Sequence, residues 1–541
     1  VSAAGLPLPA SAAAGAARGT GPALAALVLL GGALRLVGLG AEPLWLDEAF
    51  TWRWAHLPWA ELFGPAARTE TNPPPWFAVE RLVLLLLGDG AAALRLPAAL
   101  LGIAAVPLGY LLGRRLAGER GGLLAALLLA VDPLLVAYAQ EARGYALLVA
   151  GTLLALWGVL AWFGSPGGDP SAAPAARPGG RSVPLLPLAA YAAGASAVLW
   201  AHNTGPLLLL LANLAALVLW IGGQGAGRRP VLPWLAANLV AVLPWLLWLP
   251  ILLGQAGDAV NVAWIRQPSP QGALAATLRL FGPHHLPLDP IATALAGLPA
   301  LGLAGWAAVR LGPGARTAVL LAAGLPLLCY LVGLLLRPVW IERALLPALA
   351  VGLVLAGAGL ARLLPGRLGV ALLVVLLLPR AADLAAWHRG PQKLPWPAAV
   401  AEVGAGLEAG DAVLVTPHFY HWPWAYHAGR AGLRPAVLGL VVGPPPPPGA
   451  PRIEPVDRGL ELVEPAGLEA ALAGRTRAWL LAYKRRGGDP GGVLARLAAM
   501  GSLAPRGRWT GAWDGGELEL WLWTRGAAGG ASRMDGRVPP A

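Results

Sequence analysis

The chain has 541 residues, of which 57% are hydrophobic and only 13% charged, about half the charged share of an ordinary soluble domain. That balance excludes a soluble globular enzyme and a disordered chain. The net charge is +12, but the basic residues are scattered in ones and twos and form no stripe, which excludes a nucleic-acid-binding module.

Of the 40 basic residues only Lys393 and Lys484 are lysine, and with 72 Gly and 53 Pro the chain has the bias of GC-rich codon usage. The single cysteine, Cys329, allows neither an internal disulfide nor a thiolate metal site and reads as a small core residue.

A bilayer core of about 30 Å takes about 20 apolar residues as a helix. About eleven apolar runs approach that length, beginning near Ala23, Leu96, Gly121, Tyr145, Val183, Gly205, Val231, Pro290, Thr317, Ala344 and Leu368. Lipid offers the backbone no hydrogen-bond partner, so the runs are expected as helices. The last is the weakest, because Arg380 and Asp383 interrupt it. Residues 1–22 read as a cytoplasmic tail before an anchor helix rather than as a cleaved signal.

Arginines orient the spans. Arg18, Arg114 with Arg115 and Arg120, Arg177 with Arg181, Arg228 with Arg229, Arg310 with Arg316, and Arg362 with Arg367 all fall on one side of this arrangement. By the positive-inside rule that side is the cytoplasm. The expectation is an integral protein of the plasma (inner) membrane with a cytoplasmic N-terminus.

The opposite side carries a first loop over 41–95, a short turn over 139–144, a medium loop over 254–289 and everything from 387 onward. Connections this long are seldom mere connectors. Within the first loop, Trp76–Leu87 is apolar but short and contains Glu80 and Arg81, so it reads as an interfacial or re-entrant helix.

From 387 to 541 the pattern changes. Helix-like stretches at Ala398–Ala409, Gly467–Leu472 and Gly492–Met500 alternate with strand-like ones at Asp411–Thr416, Ala478–Tyr483 and Glu517–Trp523. Pro444–Pro448 reads as a stiff surface loop. The expected fold is therefore an all-α polytopic membrane domain over 23–386 followed by a small extracytoplasmic α/β domain over 387–541.

Chemistry gathers on the extracytoplasmic face. LWLDEAFTW (Leu44–Trp52) sets Asp47 and Glu48 between Trp45 and Trp52; TNPPPW follows at Thr71–Trp76; AQEARGYAL lies at Ala139–Leu147; IERALLPAL lies at Ile341–Leu349. Ionisable groups at a membrane face are functional candidates. A carboxylate can take the proton of an attacking hydroxyl, and arginine binds phosphate through a permanently charged fork. Interfacial tryptophans anchor at headgroup depth and can stack on sugar rings.

The ordered set LWLDEAF, NPPPWF, LRLPAALLGIAAVPLGYLLGRRLAG, LLAVDPLLVAYAQEARGYAL and IERALLPAL resembles the GT-C glycosyltransferases of family 39 and their bacterial relatives. Those include protein O-mannosyltransferases, aminoarabinose transferases of lipid A and rhizobial galacturonosyltransferases. The resemblance covers roughly 23–360.

It implies an inverting transferase, active outside the cytoplasm, that moves a sugar from a polyprenyl-phosphate donor to a lipid, glycan or protein acceptor. Asp47 then matches the family's acid and the base, and Glu48 is its neighbour, orienting the acceptor or a cation. Arg143, with Gln140 and Glu141, matches the polar turn after the third span, and Arg343 the arginine of the late motif. Both arginines become donor-phosphate contacts, with Trp45 and His202 as further substrate contacts. A divalent cation is compatible with this site but not demanded by it.

The chain departs from the family where His-Pro-Pro becomes Asn72-Pro73-Pro74 and where Arg-Tyr becomes Arg343-Ala344.

Plainer roles compete. Asp47 and Glu48 could be solvated loop acids, Arg143 could pair with Glu141, and Arg343 with Glu342. Arg35 would snorkel or pair with a loop acid. His284-His285 offers too few ligands for a metal and reads as a loop or substrate contact. The cluster His418, His421 and His427 reads as an aromatic loop packing on the membrane domain. Rival functions are a flippase or transporter of lipid-linked sugars, expected to show repeated halves and midplane polar sites, and a surface-glycan polymerase or ligase.

Overall fold

The computed structural model describes residues 10–64, 66–68, 70–164, 185–222, 230–257, 265–442, 460–484, 489–513 and 515–526. The arginines at 177, 181, 228 and 229 and the proline run at 444–448 lie outside the described residues. Contacts divide the chain into two compact units. One comprises Val1–Val37, Thr71–Trp76 and Arg95–Trp387; the other comprises Gly38–Glu70, Phe77–Leu94 and His388–Ala541. Most of the first loop thus clusters with the C-terminal region and not, as the sequence suggests, with the membrane helices.

The first unit is an all-α membrane domain. Six described helices are long and apolar enough to cross a bilayer, or seven if Val231–Trp245 and Leu249–Gln255, bent by 60°, form one span. Thr20–Leu36, Leu185–Ala201 and Gly205–Ile221 are apolar but shorter. Every expected run falls in a helix, while the number of full crossings stays below the expected eleven on length alone.

Ala91–Ala130 is 40 residues long, about 60 Å at 1.5 Å per residue and twice the bilayer core. Non-helical backbone at Ala117 and Gly118 (φ +73°) breaks it into the two legs that the sequence separates. Glycine lets the legs touch: a Cβ on Gly113 would lie 2.6 Å from the Gly121 carbonyl oxygen.

Helix Leu346–Ala361 is buried along its whole length. A Cβ on Gly357 would lie 2.5 Å from the backbone nitrogen of Ala125, the close approach that small residues permit between membrane helices. Gly357→Leu is therefore expected to abolish accumulation of folded protein, read as loss of the monodisperse peak after detergent extraction.

Charged residues in the last apolar run have defined partners. Arg380 and Asp383, on helix Arg367–Arg389, are buried. The Arg380 guanidinium pairs with Asp132 at 3.4 Å, and Asp383 accepts from the backbone N–H groups of His284, His285 and Leu286 at 2.8, 2.6 and 2.9 Å. Arg35 does not snorkel, and Asp132, in the turn after the second leg, acts on its charge. The arginine is buried and donates to the carbonyls of Gly31, Leu129 and Ala130, capping the second leg where its last carbonyls lack partners.

The second unit carries a six-stranded sheet: β1 (Ala412–Thr416), β2 (Ala436–Leu440), β3 (Glu461–Val463), β4 (Arg477–Lys484), β5 (Gly501–Thr510) and β6 (Glu517–Arg525). The order is β3-β2-β1-β4-β6-β5. The β3-β2-β1-β4 part is parallel, and β6 and β5 join antiparallel.

Alternation along β1 splits its side chains between two cores. Val413 and Val415 pack with Trp396, Val400 and Trp424, and Ala412 and Leu414 with Leu468, Val493 and Leu497. Both faces are covered, as parallel strands require. The sequence identifies β1, β4 and β6 but not β2, β3, β5 or helix His421–Arg430. Pro505 is tolerated in β5 because that strand is an edge with a register shift at Pro505/Gly507.

Within this unit the first loop forms short helices. Pro75–Leu87, of 13 residues, reaches only about 20 Å, too short to span. It overlaps the expected Trp76–Leu87, and its Leu82, Leu85, Leu86 and Leu87 are exposed.

Candidate active site

In the membrane unit three separate turns and the 71–76 segment meet. Tight packing at Gly144, where a Cβ would lie 3.1 Å from the Ala201 carbonyl oxygen, brings the 139–144 turn against the 202–204 turn. The Trp76 indole donates to the Ala142 carbonyl at 3.3 Å. The Asn203 amide donates to the Thr71 carbonyl and accepts from the Trp248 indole at 3.0 Å. Asn72 thus lies in the segment tied to both turns.

The Arg343 guanidinium, from the 3₁₀ turn Glu342–Leu345, sits 5.9 Å from the Tyr145 ring centroid, and that ring is 6.2 Å from His202. Burial, with the positive charges of Arg343 and Arg143, pushes the His202 imidazole down to about 3. Both arginines therefore act on the same histidine. Arg143 and Glu141 are buried at the turn. Glu342 faces His284 Nδ1 at 3.4 Å. The result is a charged turn cluster in which two arginines converge on His202 while Glu141 and Glu342 balance their charge.

His202 stays neutral through the physiological range. Transfer measured from pH 5 to 8 is expected to show no limb that disappears in His202→Gln. The unfolded chain binds that proton below pH 6.5, and the folded one only near pH 3. Stability accordingly falls as pH drops through this window, by at most about 1.4 kcal/mol per unit.

Gln140 has a structural commitment. Its Nε2 donates to the carbonyls of Leu34, Arg35 and Val37, and its Oε1 accepts from the Trp387 indole at 2.7 Å. His284-His285 is held by Asp383, with the His285 ring 4.7 Å from Trp387.

In the second unit, helix Leu46–Ala55 begins at Trp45 and carries Asp47 and Glu48 in its first turn, where the helix dipole favours negative charge. Adjacent helical residues point about 100° apart, so the two acids have different surroundings. Glu48 is fully buried and pairs with Lys393 Nζ at 2.9 Å. Asp47 is half-buried.

Phe50 and Trp52 contact Trp422 and Tyr426 edge-on at 6.2 and 5.3 Å. The aromatic histidine cluster therefore packs on the first-loop helix of its own unit. His427 Nε2 lies 3.1 Å from the Leu44 carbonyl, and His421 Nδ1 lies 2.9 Å from that of His418. Among the described residues no group of three or more His, Cys, Asp or Glu could hold a metal ion. Lys393 and Tyr145 were missed from sequence; the only signal for Lys393 is its rarity.

Residues 71–163 match the family model described as dolichyl-phosphate-mannose-protein mannosyltransferase. The apo crystal structure of ArnT from Cupriavidus metallidurans superposes with a TM-score of 0.60 at 15% identity, covering 94% of this chain and 98% of that one. The chain has the fold of ArnT. The same ArnT bound to undecaprenyl phosphate gives a TM-score of 0.57 at 16% identity, covering 92% of this chain and 97% of that one. No curated protein matches by sequence. The family-model match begins at Thr71 and runs through the first polar turn, so it includes Asn72 and Arg143 but not Asp47 or Arg343.

Proposed function

We propose that this GT-C chain is a membrane glycosyltransferase that moves a sugar from a polyprenyl-phosphate donor to an extracytoplasmic acceptor hydroxyl with inversion. The observation that carries the reading is the convergence of buried Arg143 and half-buried Arg343 on one neutral histidine in a chain of ArnT fold, ArnT itself having been solved with undecaprenyl phosphate. Asp47 takes the acceptor proton as the oxygen attacks the anomeric carbon, and the sugar–phosphate bond breaks with its electron pair passing to the phosphate. Arg143 and Arg343 stabilise the charge gathering on that leaving group. Asn72, Glu141 and Trp45 line the substrates; Gln140 holds the turn that carries Arg143. The protein lies in the plasma membrane, with this chemistry and the sheet domain outside the cytoplasm.

The test supplies membranes with radiolabelled undecaprenyl-phosphate sugars. Label appearing on a lipid, glycan or protein supports the reading. Labelled donor that crosses the bilayer without transfer replaces it with a flippase, and chain growth replaces it with a polymerase.

A further inference from the structure

Of 40 basic residues only two are lysine, and the structure places each against a buried carboxylate. Lys484 meets Glu519 at 2.6 Å, with side chains 11% and 7% exposed; Lys393 meets Glu48 at 2.9 Å, with side chains 1% and 0% exposed. In a chain that otherwise uses arginine almost everywhere, lysine stands where a compact ammonium closes on a buried carboxylate. The wider planar guanidinium, with five donors to satisfy, is a poor replacement in such a space. The Lys484 pair joins the neighbouring strands β4 and β6 and is accounted for by the sheet. The Lys393 pair reaches the residue next to Asp47.

We propose that Lys393 is the positioning residue of the first-loop acid: by fixing Glu48 it sets the rotation of helix Leu46–Ala55 and so the direction of Asp47. The inference rests on the reading of Asp47 as the base. Its neighbours make the same attachment. The Glu42 carboxylate accepts from the backbone N–H groups of Gln392 and Lys393 at 2.9 and 3.1 Å, and His427 lies 3.1 Å from the Leu44 carbonyl. Residues 42, 44 and 48 are thus held from three points of the C-terminal part of this unit. Phe50 and Trp52 pack on Trp422 and Tyr426 further along the helix bearing the acid, while the Lys393 contact is made at the residue next to it.

The experiment uses the full-length protein in membranes with whichever undecaprenyl-phosphate sugar the wild type transfers. Lys393→Arg at equal abundance is expected to lower kcat at least 10-fold with the donor KM within twofold, whereas Lys484→Arg stays within twofold in both. Lys393→Met with Glu48→Leu, which replaces the pair by apolar groups, is expected to accumulate normally and yet keep the kcat defect. Wild-type kcat in Lys393→Arg or in the double variant overturns the proposal, as does a defect confined to KM. Retained activity in Asp47→Asn instead removes the base reading, whatever Lys393 does. An inactive Asp47→Asn beside a fully active Lys393→Arg removes Lys393 alone.

Discussion

Asp47→Asn is expected to lower sugar transfer by about 10²–10⁴-fold, the usual contribution of a positioned general base, with the donor KM little changed. The amide keeps the shape of the carboxylate but cannot accept the acceptor's proton. The substitution is mild for the fold. Asp47 is half-buried at the first turn of its helix, where losing a favourable charge costs about 0.3–1 kcal/mol. Abundance in the membrane should therefore match wild type, and initial rates with labelled donor read chemistry directly. Equal rates would take Asp47 out of the reaction while leaving the transferase class intact. Glu48 makes the useful contrast. Its carboxylate is committed to Lys393 in a closed site, and leaving that lysine unpaired costs about 3–5 kcal/mol. Glu48→Gln should thus reduce folded protein before it reduces turnover per molecule.

Arg343→Ala is expected to cost about 10–150-fold in kcat/KM, the equivalent of one charge-assisted hydrogen bond of roughly 1.5–3 kcal/mol. If the contact forms with the donor phosphate at all stages, KM rises. If it strengthens as charge gathers on the leaving group, kcat falls. Arg343→Lys should restore only part of the loss, because an ammonium keeps the charge but not the two-pronged geometry. The same substitutions at Arg143 should behave alike, since both charges act on His202. A wild-type rate in Arg343→Ala would assign that side chain to its stacking on Tyr145 and leave phosphate binding to Arg143.

Much of the architecture is written locally in the chain. Helices in lipid need long apolar runs, so the runs announce themselves, and they coincide with helices. Strands β1, β4 and β6 are legible because their hydrophobic stretches are long enough to show pattern. β2 spans only Ala436–Leu440 and contains Gly439, and β3 has three residues. Such strands are defined by pairing with a neighbour, which no local pattern encodes.

The acids and arginines are legible as residue types at helix ends, because ionisable groups beside lipid demand a reason. What each one does depends on partners far away in sequence. Glu48 meets a lysine 345 residues on, and Gln140 meets Trp387 across 247. Arg380 and Asp383 look like interruptions of a span until Asp132 and the His284–Leu286 backbone satisfy them.

The sequence by itself therefore determined the membrane class, the α/β tail and the set of charged candidates, because hydrophobic length and periodicity are properties of neighbours along the chain. Only the tertiary structure gave those charged groups their surroundings, because a buried charge is defined by what packs around it, and that is settled by folding.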